Sequence, residues 1–368
     1  MVFNKSKLLN ELGLILAIIV YIILNFGFQN FTPSNLNNFA VLLSTFFIFI
    51  IMLYCAFNIV RHADWLAEKF GEPYGTLILT LSVISIEVAL IITMMFIGKG
   101  DPTLARDTMF AVIMIAINGF AGLSLLTGGL KHKQQLFNIE GASAYLAVLI
   151  PLITICLILP NYTKSTSEGT FSSAQSFLVI GVSIVLYVTF LIKQTITHKD
   201  YFKFSIEIEE EKPHDDEPAI KTFYHIIALV IGLIVMILLS KNLSLFLDFS
   251  IERVGLPSKL GGFLVALLVL APEGVCAIQS AYRDQLQRSI NLCMGSAVAT
   301  ICLTVPAVLI ISQIMNQSLI LGMENTSMVI MILTFLISMI TFSAKKTNAL
   351  YGMVLLSTFA IYFSMLFD

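Results

Sequence analysis

The chain has 368 residues, 57% of them hydrophobic and 12% charged, with a net charge of −2 and a mean hydropathy of +0.91. A soluble protein carries roughly a quarter charged residues, so the composition excludes an ordinary soluble globule, and the small negative charge gives no footing for a nucleic-acid partner. Apolar stretches of about 20 residues recur along the whole sequence, which one secretory signal cannot explain and which predicts an all-α polytopic membrane protein in a lipid bilayer.

Eleven transmembrane helices are expected, at approximately 13–29, 40–60, 74–97, 107–128, 141–160, 171–192, 222–247, 260–282, 290–314, 326–343 and 348–367. Each must be helical, because unpaired backbone groups are too costly in hydrocarbon. With the N-terminus in the cytoplasm, only Lys99, Arg106, Lys164, Lys241, Arg253 and Lys259 fall outside, and the other fifteen of the 21 Lys and Arg residues fall inside. That asymmetry follows the positive-inside rule and puts the C-terminus outside.

In chain order, residues 1–39 form an N-terminal helix and loop, and 40–193 form a first set of five helices. Glu72, beside Pro73 at the entrance to the third span, reads either as a carboxylate favoured by the helix dipole or as an entry point for cations. Thr76 and Thr80 follow on one face, with Glu87 seven residues further on. Gly98-Lys-Gly-Asp101 and Asn118-Gly119 come next. Residues 194–221 form a polar loop expected in the cytoplasm. Its core, 206–217, holds seven carboxylates in twelve residues and reads as a solvated linker, a low-affinity cation collector or a regulatory segment. A second five-helix set, 222–368, follows. An odd number of helices per set makes the two run in opposite senses, which is an inverted-topology repeat.

Among Asp, Glu, Lys, Arg and His, only Glu87 and Glu273 lie about halfway along a predicted span. Each sits midway along the second helix of its set. Charge at that depth costs at least a few kcal/mol, so such carboxylates ordinarily mark an ion or proton path. Pro272 frees the Leu268 carbonyl beside Glu273 and should kink the helix. Gln279 and Ser280 continue the polar trail, and Gly295-Ser296 opens the next helix. Asn118 and Ser296 could offer further oxygens, although the small residues beside them are equally explained by close packing. Hard oxygens and two carboxylates suit Ca²⁺. Emptied of metal, the same carboxylates would take up protons, so the residues predict antiport at a midplane site formed by Glu87 and Glu273. The five cysteines lack zinc or CxxC spacing and read as apolar filler, and no cofactor is expected beyond the transported ions.

Gly71-Glu-Pro-Tyr-Gly-Thr-Leu-Ile-Leu-Thr80 and Ile86-Glu-Val-Ala-Leu-Ile91 resemble the first signature region of ChaA-type calcium (sodium, potassium)/proton antiporters. Ala271-Pro-Glu-Gly274, Arg283-Asp-Gln-Leu-Gln-Arg-Ser-Ile-Asn291 and Gly295-Ser296 resemble the second. The family belongs to the cation/calcium exchanger superfamily. The resemblance spans nearly the whole chain and implies eleven helices in a bacterial cytoplasmic membrane, with an essential glutamate from each repeat matching Glu87 and Glu273. Asn118 and Ser296 match the family's polar positions more loosely. Related calcium/proton exchangers carry Gly-Asn-Ala before each glutamate, whereas this chain has Ile-Ser-Ile and Leu-Ala-Pro. The rivals are a Na⁺(K⁺)/H⁺ antiporter using the same glutamates, a channel, and an intramembrane enzyme. The enzyme is disfavoured because Asp101 lies in a loop and no second Asp lies more than about a turn inside a span to complete a dyad.

Overall fold

The computed structural model describes residues 11–27, 32–71, 74–97, 101–203, 219–317 and 319–367. Glu72 and the acidic segment 206–217 lie outside them. Eight helices among the described residues are long and apolar enough to cross a membrane. They are α2 (Asn38–Phe70), α3 (Tyr74–Ile97), α4 (Leu104–His132), α5 (Ile139–Tyr162), α6 (Ser173–Thr197), α7 (Ala219–Val254), α8 (Lys259–Tyr282) and α9 (Leu286–Met315). Three shorter apolar helices accompany them: α1 (Leu12–Ile22), α10 (Asn325–Thr341) and α11 (Ala349–Met365).

Local chemistry sets the helix starts. The Asn37 side chain accepts from the Ala40 amide at 2.8 Å, that of Asn138 from Glu140 at 2.9 Å, and that of Asn348 from Leu350 at 3.0 Å. Ser172 and Gln175 form a reciprocal capping box at the start of α6. Each relieves an orphan amide of a first turn. Helix α2 runs ten residues past its expected end because Arg61–Phe70, rich in Ala, Leu, Glu and Lys, favours helix after the apolar run stops. Helix α8 continues through Pro272.

The chain packs as two units, 1–101 with 210–272 and 102–209 with 273–368. In the first, α2 lies along α7 and α3 packs on both. Thr45 and Ser250 join α2 to α7 by a 2.7 Å hydroxyl contact. In the second, α11 crosses α4, where a Cβ on Gly352 would stand 2.5 Å from the Leu126 nitrogen, so only glycine permits the approach. A two-residue antiparallel ladder pairs β1 (Gln135–Leu136) with β2 (Lys346–Thr347). Arg106 pairs with Asp107 at 2.8 Å, reaches Glu324 at 3.6 Å and donates to the Gly322 carbonyl at 3.2 Å, pinning the chain that leads into α10.

Two helices of the second unit bury hydroxyls and turn large apolar side chains outward. Helix α10 buries Thr334, Ser338 and Thr341 and exposes Val329, Leu336 and Ile340. Helix α6 likewise buries Ser176 and Ser183 and exposes Phe177, Leu178 and Val185. Apolar faces this large turned outward require an apolar surround, which agrees with a polytopic all-α membrane protein.

Candidate functional site

Glu87 belongs to the first unit and Glu273 to the second. In α3, Glu87 is 1% exposed, among the buried Ile84, Ile86, Leu90 and Ile91. Thr80, two turns earlier, is half-buried. Ser82 and Ser85 spend their hydroxyls on the Ile78 and Leu81 carbonyls, at 2.7 and 2.6 Å. The polarity of this stretch is therefore concentrated in one carboxyl group.

In the second unit, α4, α8 and α9 meet at Ala121, Ala277 and Cys293, with Phe120 and Leu292 packed against them. Glu273 lies one turn before Ala277, Asn118 three residues before Ala121, and Ser296 three residues after Cys293. Gly274 makes the α4–α8 approach possible, since a Cβ there would stand 2.3 Å from the Phe120 ring. Ser296 hydrogen-bonds Glu273 Oε2 and also lies 2.8 Å from the Leu292 carbonyl. One hydroxyl carries one hydrogen, so the arrangement serves both forms of the acid. Ser296 donates to an ionised Glu273, or it donates to Leu292 while accepting from a protonated one.

Asn118 is fully buried, at 0% exposure, inside a π-helical stretch of α4, Met114–Ala121. π-turns recur at functional sites because the extra residue re-aims a side chain. The Thr334 hydroxyl donates to the Ile330 carbonyl at 2.9 Å, so it can only accept from Asn118 Nδ2 at 2.8 Å. That fixes the amide, and Asn118 Oδ1 is left without a partner among the described residues. A buried acceptor of this kind costs about 1–3 kcal/mol unless an ion, a water or a proton donor fills it. Of the remaining sequence candidates, Ser280 donates back to the Cys276 carbonyl at 2.8 Å and Gln279 is exposed.

Sequence reasoning missed two features. Thr334 orients Asn118, and its signal was the Thr334, Ser338, Thr341 spacing on α10. In the first unit, Glu11 receives Arg61 Nη2 at 2.5 Å and the Tyr224 hydroxyl at 2.6 Å, and lies 3.1 Å from His62 Nε2. His62 Nδ1 lies 2.8 Å from His225 Nδ1, and Trp65 stacks on His225 with centroids 4.0 Å apart. Burial alone would push the Glu11 carboxyl up, but hydrogen bonds from Tyr224 and His62 and the Arg61 charge hold it below the usual range. No pattern within the sequence links residues 11, 62 and 225.

The sodium/calcium exchanger protein family matches the chain over residues 39–196 and 224–367. The sodium-potassium/proton antiporter ChaA of Escherichia coli (strain K12) is 40% identical over 319 residues, 86% of each chain. The Ca²⁺/H⁺ antiporter ChaA of Bacillus subtilis (strain 168) is 26% identical over 278 residues, 74% of this chain and 78% of its own. The structure of native YfkE shares the fold, with a TM-score of 0.73 at 20% identity over 98% of this chain and 99% of its own.

Proposed function

Because the chain belongs to the sodium/calcium exchanger protein family, we propose that it is a secondary active cation/proton antiporter that exchanges Ca²⁺ for protons, with Glu87 and Glu273 as the groups that carry them. The observation behind this reading is Glu87, a carboxyl group 1% exposed in an apolar 24-residue helix. Holding such a group at membrane depth costs several kcal/mol, which a fold retains only where an ion or proton uses it.

Two carboxylates neutralise one Ca²⁺, and Asn118 Oδ1 and the Ser296 oxygen are hard neutral donors of the kind the ion prefers. When the cation leaves, each carboxylate takes a proton. At Glu273 the Ser296 hydroxyl turns from donor to acceptor and hands its own hydrogen to Leu292, so the protonated acid stays fully hydrogen-bonded. Competition between cation and protons for the same oxygens is the exchange. The eleven apolar helices are one N-terminal helix plus two inverted repeats of five, which expose the carboxylates to each side in turn. The N-terminus and the 194–221 loop lie in the cytoplasm, with the C-terminus outside.

A second reading keeps the residues and changes the cargo to Na⁺ or K⁺. It is favoured by the 40%-identical relative, named a sodium-potassium/proton antiporter, and by the missing Gly-Asn-Ala before each glutamate. Proteoliposomes loaded with a pH dye decide between them. Under an imposed pH gradient, Ca²⁺, Na⁺ and K⁺ are added separately to wild type, Glu87→Gln and Glu273→Gln. Proton flux on Ca²⁺ alone, abolished in both variants, is the expected result. Flux on Na⁺ or K⁺ alone supports the second reading, and normal transport by either variant refutes the role of that glutamate.

A further inference from the structure

Several buried hydroxyls in this protein are spent on a carbonyl one turn back, as in Thr45, Ser82, Thr108 and Ser280, whereas Ser124, Ser244 and Thr304 stand singly without a partner among the described residues. Helix α10 differs. Thr334, Ser338 and Thr341 stand at i, i+4 and i+7 on its buried face, at 0%, 0% and 1% exposure. Ser338 Oγ and Thr341 Oγ1 have no hydrogen-bond partner among the described residues. Thr334 is tied to Asn118. Six residues after Thr341, Thr347 pairs with Gln135 across the β1–β2 ladder, and Thr347 Oγ1 and Gln135 Oε1 are also buried without partners. Gln135 Nε2 donates to the exposed Asp284 at 2.9 Å.

A run of unmet hydroxyls is costly, at about 1–3 kcal/mol each, unless water completes it. Side chains one helical turn apart have Cβ atoms about 5–6 Å from each other. That is too far for a direct hydrogen bond and suits one bridging water, which needs two to four polar partners. From Thr334 to Thr341 the row of hydroxyls spans seven residue steps, about 10 Å of helix. Its outer flank is the apolar face carrying Val329, Leu336 and Ile340, so a proton has no polar route in that direction.

We propose that the hydroxyl face of α10 is a hydrated proton relay, distinct from the cation's path, running from beside the Asn118–Thr334 pair through Ser338 and Thr341 toward the Gln135–Asp284 end of the unit. Each hydroxyl accepts a proton on its oxygen and releases its own hydrogen to the next water. One proton crosses, and each hydroxyl and water keeps its composition but ends with its hydrogen pointing the other way, so it must rotate back before the next proton passes. The relay rests on the antiport reading above and adds to it the residues that deliver the protons. The cation site is built on carboxylates that neutralise its charge, whereas a proton can pass along hydroxyls and waters alone, which both donate and accept, and this face supplies no carboxylate.

The test separates two transport modes in one preparation. Cation–proton exchange is followed by pH dye, and cation self-exchange, which moves no proton, by radioactive tracer. Both use the cation that the wild type exchanges. The Ser338→Ala/Thr341→Val double variant should lose at least ten-fold in proton-coupled flux and keep self-exchange within two-fold. The Ser338→Thr/Thr341→Ser variant, which restores both hydroxyls, should recover proton flux. Equal loss of both modes, no loss of either, or a hydroxyl-restoring variant as slow as the first overturns the relay. Absence of proton flux in the wild type with every cation would instead remove the antiport reading beneath it.

Discussion

Gly274→Ala is a one-methyl change that should strike the site without touching a polar group. The added Cβ would stand 2.3–2.4 Å from three carbons of the Phe120 ring. Relaxed carbon–carbon contact needs about 3.5 Å, so the ring or α8 must yield by roughly 1.2 Å. Overpacking of this size costs about 1–3 kcal/mol. The second consequence is geometric, because Glu273 is the preceding residue and its bond to Ser296 depends on where α8 sits. A displacement near 1 Å at a reacting group can cost about 10²-fold in rate. We expect Gly274→Ala to lower exchange in proteoliposomes by about 10- to 100-fold, with the melting temperature in detergent falling by several degrees. Phe120→Ala should be milder alone and should restore much of the loss when combined, a coupling that a double-mutant cycle measures. Wild-type exchange by Gly274→Ala, or a double variant no faster than Gly274→Ala, would refute the reasoning.

Asn118→Ala should reduce exchange at least ten-fold, whereas Asn118→Asp, which keeps an oxygen at the same place, should retain more of it; equal losses in tracer assays would deny Oδ1 a ligand's role. Arg106→Met breaks a buried pair with Asp107 and the tie to Gly322, so it should cost about 3 kcal/mol, read as a lower melting temperature with wild-type cation preference. Glu11 is an acid whose folded-state pKa lies below its unfolded one, so its contribution is present above the ordinary carboxylate range and is lost as pH falls through the folded value. Glu11→Gln should therefore melt below wild type at pH 7, and the two should converge in acid; a gap that widens in acid would contradict the assignment.

The legible part of the fold was the part that hydrocarbon dictates. Lipid tolerates neither bare backbone nor unpaired charge, so the apolar segments and the burial of Glu87 could be read as composition alone. Helix ends were less legible where a helix outlives its apolar run. The Arg61–Phe70 extension of α2 looks like a loop by hydropathy and like a helix by propensity, and propensity won. At the candidate site, Glu273 and Ser296 were expected as neighbours in function and are hydrogen-bonded. Asn118 was read as an oxygen donor, but nothing local to it could reveal that its amide nitrogen is committed to Thr334.

The sequence by itself determined that this chain is a bundle of apolar helices and singled out two carboxylates midway along predicted spans, because solvent chemistry constrains each residue one at a time. The tertiary structure alone decided which way those helices face. In a helix that is hydrophobic nearly all round, periodicity says little about orientation, and the π-turn at Met114–Ala121 shifts the phase again. The Glu273–Ser296 bond, the Gly274–Phe120 contact, the Asn118–Thr334 pair and the Glu11 cluster each join residues far apart in the chain. Their partners are chosen by packing, and packing is a property of pairs of helices that no single segment carries.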